Sequence, residues 1–554
     1  MAHTLFVIEA PGKVETLRGL LGGIPGLGEF QIVATRGHFW RMPQGLDPLY
    51  IDENLKEQER KPDDFVVQRL LEGVEGATEV VLATDADAEG EVIARDVALV
   101  LGKSAPLLSR MRLRALALAA VIEAYENRGE FRPQTAAAGD TRRVLDRIMG
   151  ATLMDRAKKV FSGRVQSALL TAISKKAPPV GEAIIQLNAA DGGRPFIARI
   201  PFAGEERERA EILVDRVLAL PPAKVGSEED RVRAKPWTFG EAVVHAHAAT
   251  GMPVGKVANA MQSLYESGRM SYPRSSATAV HESTLSTLEK IAKHHKIKFD
   301  RRNIPTIHGN GVDGVSVSHP AAAPLGEVDV VSALKTLSPE ERVLAVIGRN
   351  LVASGVQQVV QKPDLEGYPE WMKKLEFERV EKALPWERNL KARMVDYDPE
   401  AAAMLAMMKT GVGRPSTLVS HAEKFMSRGL VDANFHLTEK GRDWVKALPP
   451  SIGKISPALL EYAFDLLPGS PEERVRAIMA MIGEAGADIV KRFEEVSGHK
   501  FPDLPDRAEV QLKANKLKEE IKIRREIEAG RVQPEVLQKP EFKSTPIHMR
   551  PELR

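Results

Sequence analysis

The first hundred residues alternate short apolar runs with amphipathic segments. The runs LFVIEA, QIVAT and EVVLAT have the length and composition of buried strands, and helical periodicity follows the first from residue 11 to about residue 21 and the third from Glu89. Strands that alternate with helices in this way predict a mostly parallel sheet with helices on its faces. Ligand chemistry is then expected at the carboxyl ends of the strands.

The rest of the chain changes pattern several times. Helical spacing dominates after the predicted sheet and again from Trp237, whereas residues 183–217 are more β-like and end in a charged, proline-bearing stretch at 221–236. Another β-like region lies near residues 375–397, and helices resume after it. The middle of the chain therefore has the pattern of an insertion between two related halves.

The final stretch, residues 501–554, is rich in Lys, Arg, Glu and Pro. Its pattern predicts a helix over residues 508–529 followed by an irregular end. A solvated surface helix with a frayed tail is the simplest interpretation, and weak contact with nucleic acid or a partner is the alternative.

Composition narrows the class of protein. A chain of 554 residues exceeds what one hydrophobic core usually organises, so several domains are expected. With 43% apolar residues and no uninterrupted apolar stretch of membrane-spanning length, no membrane role is indicated. The amino-terminal run MAHTLFVIEAPGK contains an acid and lacks a basic n-region, which argues against a secretion signal and favours the cytoplasm.

Two further counts limit the chemistry. The chain has no cysteine, which excludes disulfides, a thiolate nucleophile and cysteine-based zinc ribbons. A formal net charge of +2 reflects an even mixture of signs, so it permits nucleic-acid binding without indicating it.

Three acids follow the apolar run EVVLAT. Asp85, Asp87 and Glu89 stand at alternate positions, and in extended backbone such side chains face the same way. Glu9 ends the first predicted strand and would open on the same edge of a parallel sheet. Because clustered carboxylate oxygens suit Mg²⁺, these four acids are predicted metal ligands.

These acids allow two other interpretations, a solvated turn and a calcium loop. A run of acids after a strand is often only a solvated turn. The spacing of Asp85, Asp87, Glu89, Gly90 and Asp96 is also near that of an EF-hand calcium loop, but such a loop follows a helix and ends in glutamate, whereas here a strand precedes it and an aspartate ends it.

Tyr272 stands in the segment SYPRSS, after a helical stretch that closes at Gly268. A lone tyrosine is usually a packing residue. Here Pro273 holds the chain and Arg274 follows two positions on, an arrangement that suits attack on a phosphodiester. The phenol would be the nucleophile and the guanidinium would stabilise charge on the phosphate oxygens.

Eight segments, in this order, resemble motifs of type IA DNA topoisomerases, with the topoisomerase III-like branch the closer similarity. They are LFVIEAPGK, TRGH, ATDADAEGE, DTRRVLD, SGRVQS, SYPRS, SHP and GVGRPST. The sequence departs from the family pattern in four places. Ala88 replaces an arginine, Ser276 replaces an aspartate, the usual Glu and Arg after His319 are missing, and residues 110–117 match only loosely.

The resemblance implies a multidomain protein of α/β and α domains, in which a Toprim (Rossmann-like) domain joins helical and β domains in a toroid. Its gate would open between the tyrosine domain and the Toprim base. The expected units are a Toprim domain (1–139), a helical base (140–180 and 399–500), a β-rich arch (181–236 and 346–398), a helical domain with the tyrosine (237–345) and a charged C-terminal helix and tail (501–554).

The resemblance also implies roles. Tyr272 would attack the phosphodiester and keep the 5′ phosphate, with Arg274 and Lys13 at the phosphate, Glu9 protonating the departing oxygen and His319 orienting or assisting. For His319 a structural role is the alternative. The residues expected to position DNA are His38, Arg142, Arg143, Asp146, Arg164 and Gln166. Because Arg142, Arg143 and Asp146 fall at helical spacing, a structural salt bridge explains part of that pattern equally well.

The expected cofactor is Mg²⁺ at Asp85, Asp87, Glu89 and Glu9, and the expected partner is single-stranded or locally unwound DNA. No nucleotide is expected, because a phosphotyrosine stores the energy of the cut bond and the segment GKS at 102–104 lacks the upstream glycine of a P-loop.

The resemblance implies a cytoplasmic, nucleoid-associated monomer that relaxes negative supercoils, decatenates DNA, or does both. The alternatives are a Toprim nuclease or primase-like enzyme and an inactive single-strand-binding relative.

Overall fold

A computed structural model describes most of the chain, namely residues 3–102, 106–113, 115–153, 163–307, 319–387, 390–455, 463–464 and 467–531. Of the motif residues quoted above, Ser162 and Ser318 lie outside these ranges, as does the end of the C-terminal segment from residue 532 on. Within the described residues, no helix combines the length and apolarity that crossing a membrane requires.

The amino-terminal domain is built on a four-stranded parallel sheet, as predicted. Its strands are β1 (His3–Ile8), β2 (Glu29–Ala34), β5 (Glu79–Leu82) and β6 (Leu108–Arg110), in the spatial order β2-β1-β5-β6. The covering helices are α1 (Val14–Leu21), α2 (Asp64–Val74), α3 (Ala88–Leu101) and α4 (Leu118–Glu126). A short antiparallel pair, β3 (Trp40–Arg41) and β4 (Lys61–Pro62), lies between β2 and α2 in the chain.

Alternation along β1 explains why both faces of this sheet are covered. Leu5 and Val7 lie in one apolar cluster, whereas Phe6 and Ile8 lie in another. All four side chains are fully buried. Strands buried on both faces in this way are typical of parallel α/β sheets. The second cluster also contains Tyr272, so the candidate nucleophile packs directly against this domain.

The helical part has one extended core. Its helices are α5 (Pro133–Thr152), α6 (Arg164–Lys175), α8 (Phe239–Thr250), α9 (Val254–Glu266), α10 (Leu285–His294), α11 (Pro339–Ser354), α12 (Pro399–Thr410), α13 (Leu418–Ser427), α14 (Glu439–Ala447), α15 (Pro471–Met481), α16 (Glu484–Ser497) and α17 (Arg507–Glu528). Strand β10 (Val280–His281) lies between α9 and α10 in the chain, and it pairs in parallel with β11 (Thr306–Ile307), which follows α10. Residues from the predicted helical segments 140–180, 237–345 and 399–500 all lie in this one apolar core. The core therefore does not divide these segments from one another, and the domain boundaries remain a prediction.

Two passes of the chain form the β-rich part together. The antiparallel sheet β14-β7-β8 joins β7 (Gly181–Leu187) and β8 (Phe196–Phe202) to β14 (Arg393–Asp396). The sheet β13-β12-β9 joins β9 (Val225–Val232) to β12 (Gln358–Pro363) and β13 (Arg379–Val380). The segment before the tyrosine and the segment after it therefore complete the same sheets, as an insertion between related halves requires.

One local prediction here was wrong. Within the β-like stretch 183–217, the last third is helix α7 (Arg207–Leu218), whose Ala210, Val214 and Val217 are buried at helical spacing. The charged boundary at 221–236 contains strand β9. Its acidic side chains are exposed, and pairing with β12 supplies the backbone partners that the sequence pattern does not reveal.

The predicted C-terminal helix is present as α17, but it is more than a solvated surface helix. Val510, Leu517, Ile521 and Ile527 are buried, and Leu517 and Ile521 belong to the main apolar core. The helix therefore packs one face on the helical domain despite its high charge.

Candidate active site

The acidic turn starts where β5 ends. Asp85 follows the buried Ala83 and Thr84, and the Asp87 side chain then caps helix α3 by accepting a hydrogen bond from the Gly90 N–H at 2.8 Å. A Cβ at Gly90 would lie 2.1 Å from the Asp85 carbonyl oxygen, so only glycine allows the turn to close this tightly. Because the backbone is helical from Ala88 on, the argument from extended spacing does not hold for Glu89.

Glu89 lies in the first turn of α3 and has two close partners of its own. Its carboxylate contacts the Arg142 guanidinium and the His38 ring nitrogen Nε2, each at 2.5 Å. Although burial opposes ionisation, these two partners lower the pKa of Glu89 to about 2. Glu89 thus joins Arg142 and His38 in a charged group beside the other acids, and its role as a metal ligand stays a prediction.

Glu9, Lys13 and Asp85 do come together, because β1 and β5 are neighbouring parallel strands. The Lys13 ammonium, only 2% exposed, lies 2.6 Å from Asp85 Oδ1 and 3.7 Å from Glu9 Oε1. Burial and the charge of Asp85 raise the pKa of Glu9 well above its ordinary value. Burial opposes ionisation of Asp85 too, but Lys13 and the hydrogen bond with Glu9 together outweigh it and lower the Asp85 pKa. A proton shared by this pair therefore favours Glu9 over Asp85.

Asp87 adds a third acid to this centre. Its pKa is raised, first by burial and then by the charge of Asp85. Within the described ranges, no three His, Asp or Glu side chains are already arranged to hold a metal ion. The donor chemistry nevertheless fits a hard divalent cation, because the raised pKa values of Glu9 and Asp87 reflect an excess of clustered negative charge.

Tyr272 lies over this acidic centre, in a loop between α9 and β10. The Ser271 N–H donates to the Ala323 carbonyl at 2.8 Å, the Ala323 N–H donates to Ser271 Oγ at 2.9 Å, and the Phe239 N–H donates to the Ser275 carbonyl at 2.8 Å. These bonds fix the backbone on both sides of the tyrosine. The phenol ring is 6% exposed.

The surroundings of Tyr272 keep its phenol neutral. Burial, followed by the charges of Asp87 and Asp85, raises its pKa well above the ordinary value, and Arg274 opposes that effect. The His319 ring lies against the phenol, with 4.1 Å between ring centroids. The structure therefore brings the five predicted catalytic residues to one place, together with Asp85 and Asp87.

The predicted DNA-positioning residues fall into three groups. Arg142 and His38 meet at Glu89. Arg164 pairs with Asp146 at 2.7 Å, and Gln166 donates to the His421 carbonyl at 3.0 Å. Arg143 is held by Glu57 at 2.6 Å and by Asp140 at 2.7 Å. Arg143 is thus held in ion pairs with Glu57 and Asp140, whereas Asp146, the partner that the sequence spacing offered, pairs with Arg164.

Sequence reasoning missed the aromatic residue between the first two groups. The Phe464 ring faces the guanidinium groups of Arg142 and Arg164, with centroid distances of 5.6 and 5.1 Å. Phe464 is fully buried and far from both arginines in sequence. No local pattern around Phe464 reveals this contact.

His421 gives this region a predicted pH dependence. Burial, followed by the charge of Arg164, lowers the pKa of His421 from 6.5 to about 4. Between pH 4 and 6.5 the unfolded chain therefore binds more protons at this residue than the folded protein does. The contribution of His421 to the free energy of unfolding is fully present above pH 6.5 and is lost as the pH falls towards 4. We expect about 2 kcal/mol of destabilisation at pH 5 from this residue.

Thermal unfolding at pH 7.5 and pH 5 measures this effect. The His421→Gln variant should lose less stability on acidification than the wild type, and His499→Gln, at an exposed position, is the matched control. An equal acid-induced drop in wild type and His421→Gln would contradict the prediction.

A second residue missed by the motifs is Arg110, at the end of β6. Its guanidinium is 1% exposed and donates to the carbonyls of Leu82, Thr84, Asp85 and Met111 at 2.5 to 3.0 Å. It also pairs with Glu91 at 3.1 Å. Arg110 therefore shapes the backbone that carries Asp85, although it lies in the segment that matched the family only loosely.

Replacing Arg110 by Met should destabilise the amino-terminal domain by about 3–5 kcal/mol, because it leaves several buried carbonyl groups without their donor and Glu91 with Arg112 as its remaining cation. Arg112→Met is the matched control, since Arg112 contacts Glu91 at 2.9 Å but is partly exposed. Melting temperatures of the two variants measure the difference. A smaller loss in Arg110→Met than in Arg112→Met would contradict the assigned role.

Comparisons with known proteins agree with this arrangement. A family profile described as DNA topoisomerase matches residues 130–363, and the Toprim domain profile matches residues 4–118. DNA topoisomerase 1 of Campylobacter jejuni is 32% identical over 181 residues, covering 31% of this chain and 25% of the relative. The plasmid DNA topoisomerase I of Xylella fastidiosa is 26% identical, covering 58% of this chain and 51% of the relative. DNA topoisomerase 1 of Mycobacterium leprae is 23% identical, covering 77% and 56%.

The chain thus spans between a quarter and somewhat more than half of the length of these relatives. Among solved structures, full-length topoisomerase I from Thermotoga maritima superposes with a TM-score of 0.57 at 19% identity, covering 91% of this chain and 90% of that one. This likeness confirms the predicted fold class and is consistent with the toroid. These relatives bear the name topoisomerase I, so the closer similarity to the topoisomerase III-like branch stays a prediction.

Proposed function

We propose that this chain acts as a type IA DNA topoisomerase, which cuts one DNA strand through Tyr272, passes DNA through the gap and reseals it without a nucleotide. The observation that carries the proposal is that a buried tyrosine packs on the domain that holds the Glu9–Lys13–Asp85 cluster, close enough for the charge of Asp85 to raise the tyrosine pKa. The reaction isomerises DNA by relaxing negative supercoils, by decatenation, or by both.

The cut is a transesterification. The Tyr272 oxygen attacks phosphorus, a tyrosine–phosphate bond forms at the 5′ phosphate, and the bond to the 3′ oxygen breaks. Glu9, protonated in this environment, gives its proton to the departing 3′ oxygen. Asp87, whose raised pKa makes it a stronger base, is the acceptor we assign to the phenol proton. Resealing reverses each transfer.

Cationic groups stabilise the charge that builds on the phosphate oxygens. Lys13 is already held at the centre by Asp85 and Glu9, and Arg274 is close enough to affect the pKa of Tyr272. His319 packs on the phenol ring and orients it. The proposed catalytic set is therefore Tyr272, Arg274, Glu9, Lys13 and His319.

Toprim domains generally bind a divalent metal, and Mg²⁺ is the ion we propose here. Asp85 and Asp87 would hold it, since Mg²⁺ is usually bound by one or two carboxylates together with waters and substrate phosphate. Glu9 adjoins this pair, whereas Glu89 contributes only if it leaves Arg142 and His38. When bound, the ion neutralises phosphate charge and aligns the broken 3′ end for resealing.

Single-stranded or locally unwound DNA is the proposed substrate. Arg142 on α5, Arg164 and Gln166 on α6, and His38, which meets Arg142 at Glu89, would hold the backbone of the strand. Such contacts need little sequence information. Arg143 and Asp146 brace this surface through their ion pairs. We expect the protein to act as a monomer on nucleoid DNA in the cytoplasm.

The decisive experiment uses purified protein and two labels. A negatively supercoiled plasmid is incubated with Mg²⁺ and no nucleotide, and an oligonucleotide carrying either a 5′ or a 3′ label is quenched in denaturant after cleavage. Relaxation, with the protein retained on the strand that lies 3′ of the break, supports the proposal. Free ends without an adduct point to the Toprim nuclease or primase-like alternative, and binding alone points to an inactive relative.

Removing the metal separates cutting from resealing. In excess EDTA we expect relaxation to fall by at least about 100-fold, while some adduct still forms on single-stranded DNA, because the ion acts mainly in strand passage and closure. Titration of Mg²⁺ into a relaxation assay measures this. Full relaxation in EDTA would contradict the metal assignment.

A further inference from the structure

A second tyrosine lies in the active centre. Tyr265 is fully buried seven residues before Tyr272, and its hydroxyl donates to Asp85 Oδ1 at 3.4 Å. The Lys13 ammonium lies over its ring, 4.9 Å from the centroid. The same ring meets Tyr272 edge-on at 5.3 Å. Tyr265 therefore touches the nucleophile, the cation and a carboxylate of the proposed reaction.

These contacts cross between two parts of the chain. Tyr265 is carried by α9, in the helical segment with the nucleophile, whereas Lys13 and Asp85 belong to the amino-terminal domain. The turn after α9 continues the contact, because Thr16 Oγ1 donates to the Glu266 carbonyl at 2.6 Å.

Two glycines keep this junction close. A Cβ at Gly12 would lie 2.5 Å from the Glu266 carboxylate. A Cβ at Gly268 would lie 2.9 Å from the Leu116 carbonyl oxygen, and the positive φ of 72° there also favours glycine. This segment thus lies close against the amino-terminal domain, Gly268 through a backbone contact that a side chain would disturb and Glu266 through its carboxylate beside Gly12.

We propose that Tyr265 is a positioning residue that couples closure of the gate to the catalytic centre. Its hydroxyl orients Asp85 and its ring seats Lys13 only while the helical segment with Tyr272 rests on the amino-terminal domain. When the gate opens to pass DNA, Tyr265 leaves with the cleaved strand. Asp85 and Lys13 regain the arrangement needed for resealing only when Tyr265 returns. This inference rests on the proposed strand-passage function.

The coupling predicts a specific thermodynamic signature. A residue that only stabilises the transition state changes cleavage and resealing rates equally, so the equilibrium between intact and cleaved DNA does not move. A contact present in the closed, intact state and absent in the open, cleaved state shifts that equilibrium when it is removed. Tyr265→Phe removes the hydroxyl alone and keeps the buried ring, so folding is preserved.

The test uses circular single-stranded DNA with Mg²⁺, trapped in denaturant at equilibrium. We expect the ratio of protein-linked linear DNA to intact circles to rise about threefold to tenfold in Tyr265→Phe, because a hydrogen bond to a buried carboxylate is lost and its length places it at the weak end of the range. Tyr265→Leu, which also removes the ring over Lys13, should shift the ratio further. Tyr125→Phe is the matched control. Tyr125 packs against Phe6 in the amino-terminal domain, so its loss of a hydroxyl should leave the ratio unchanged.

The outcomes are distinguishable. An unchanged ratio in Tyr265→Phe, whether the two rates are normal or equally slowed, overturns the coupling. Equal slowing together with a lower melting temperature identifies a purely structural tyrosine and also overturns it. A wild-type protein that forms no adduct at all shows instead that the proposed function has failed.

Discussion

Replacing Tyr272 by Phe is expected to abolish the covalent protein–DNA adduct and relaxation completely, while single-stranded DNA binding changes by less than about twofold. The variant lacks only the hydroxyl, and the ring keeps its contacts with His319 and Tyr265. No other group can form the same ester at that place, so the loss is absolute rather than partial. Denaturing electrophoresis of labelled single-stranded DNA measures the adduct, and fluorescence anisotropy measures binding.

Two further tyrosine variants control this experiment. Tyr265→Phe and Tyr125→Phe should still form adducts, because neither hydroxyl is assigned as nucleophile. An adduct that persists in Tyr272→Phe would remove Tyr272 from that role. If it disappeared only in Tyr265→Phe, the buried second tyrosine would become the nucleophile and the proposed coupling would fail as well.

Much of this centre could be predicted from sequence, because its residues lie in short segments whose local order carries the signal. The apolar runs of β1 and β5 fix a parallel sheet, and adjacency of their carboxyl ends brings Glu9, Lys13 and Asp85 together. The segment around Tyr272 could be identified because Pro273 and Arg274 follow the tyrosine in the sequence. Its contact with the amino-terminal domain followed only from resemblance to a family.

Two local patterns compete in the six residues around Glu89. Alternate spacing assumes a strand, whereas an aspartate followed by acids is also the signal for a helix start, and the helix begins at Ala88. Glu89 therefore faces Arg142 and His38. The capping bond from Gly90 to Asp87 is the physical reason that the second pattern prevails.

Long-range partners account for most of what the sequence could not supply. Arg143 meets Glu57 from a distant loop, and Phe464 lies under arginines some three hundred residues earlier. Arg110 acts mainly through backbone carbonyls, which leave no trace in a motif. Tyr265 sits in a helix whose apolar spacing is fully explained by packing, so only the fold shows that its hydroxyl reaches Asp85.

Replacing Lys13 by Met should reduce the rate of adduct formation by about 100-fold to 1000-fold, the usual range when a preorganised group that stabilises transition-state charge is removed. Lys13 is the cation that pairs with both Glu9 and Asp85, at 3.7 and 2.6 Å. Without it, a phosphate must approach clustered acids with no ammonium to offset their charge. The DNA dissociation constant should change by less than about fivefold, since the phosphate contacts on the helical side remain.

Single-turnover cleavage of a labelled oligonucleotide at saturating enzyme measures the chemical step alone. Lys61→Met is the matched control, because that lysine belongs to the same domain and its side chain is 78% exposed, so its rate should equal that of the wild type. Lys13→Arg keeps the charge but not the shape of the ammonium, and its rate should lie between the two. A wild-type cleavage rate in Lys13→Met would mean that Arg274 alone stabilises the attacked phosphate, and the buried Lys13–Asp85 pair would then be a device for closing the domain interface through Tyr265 rather than for the chemistry itself.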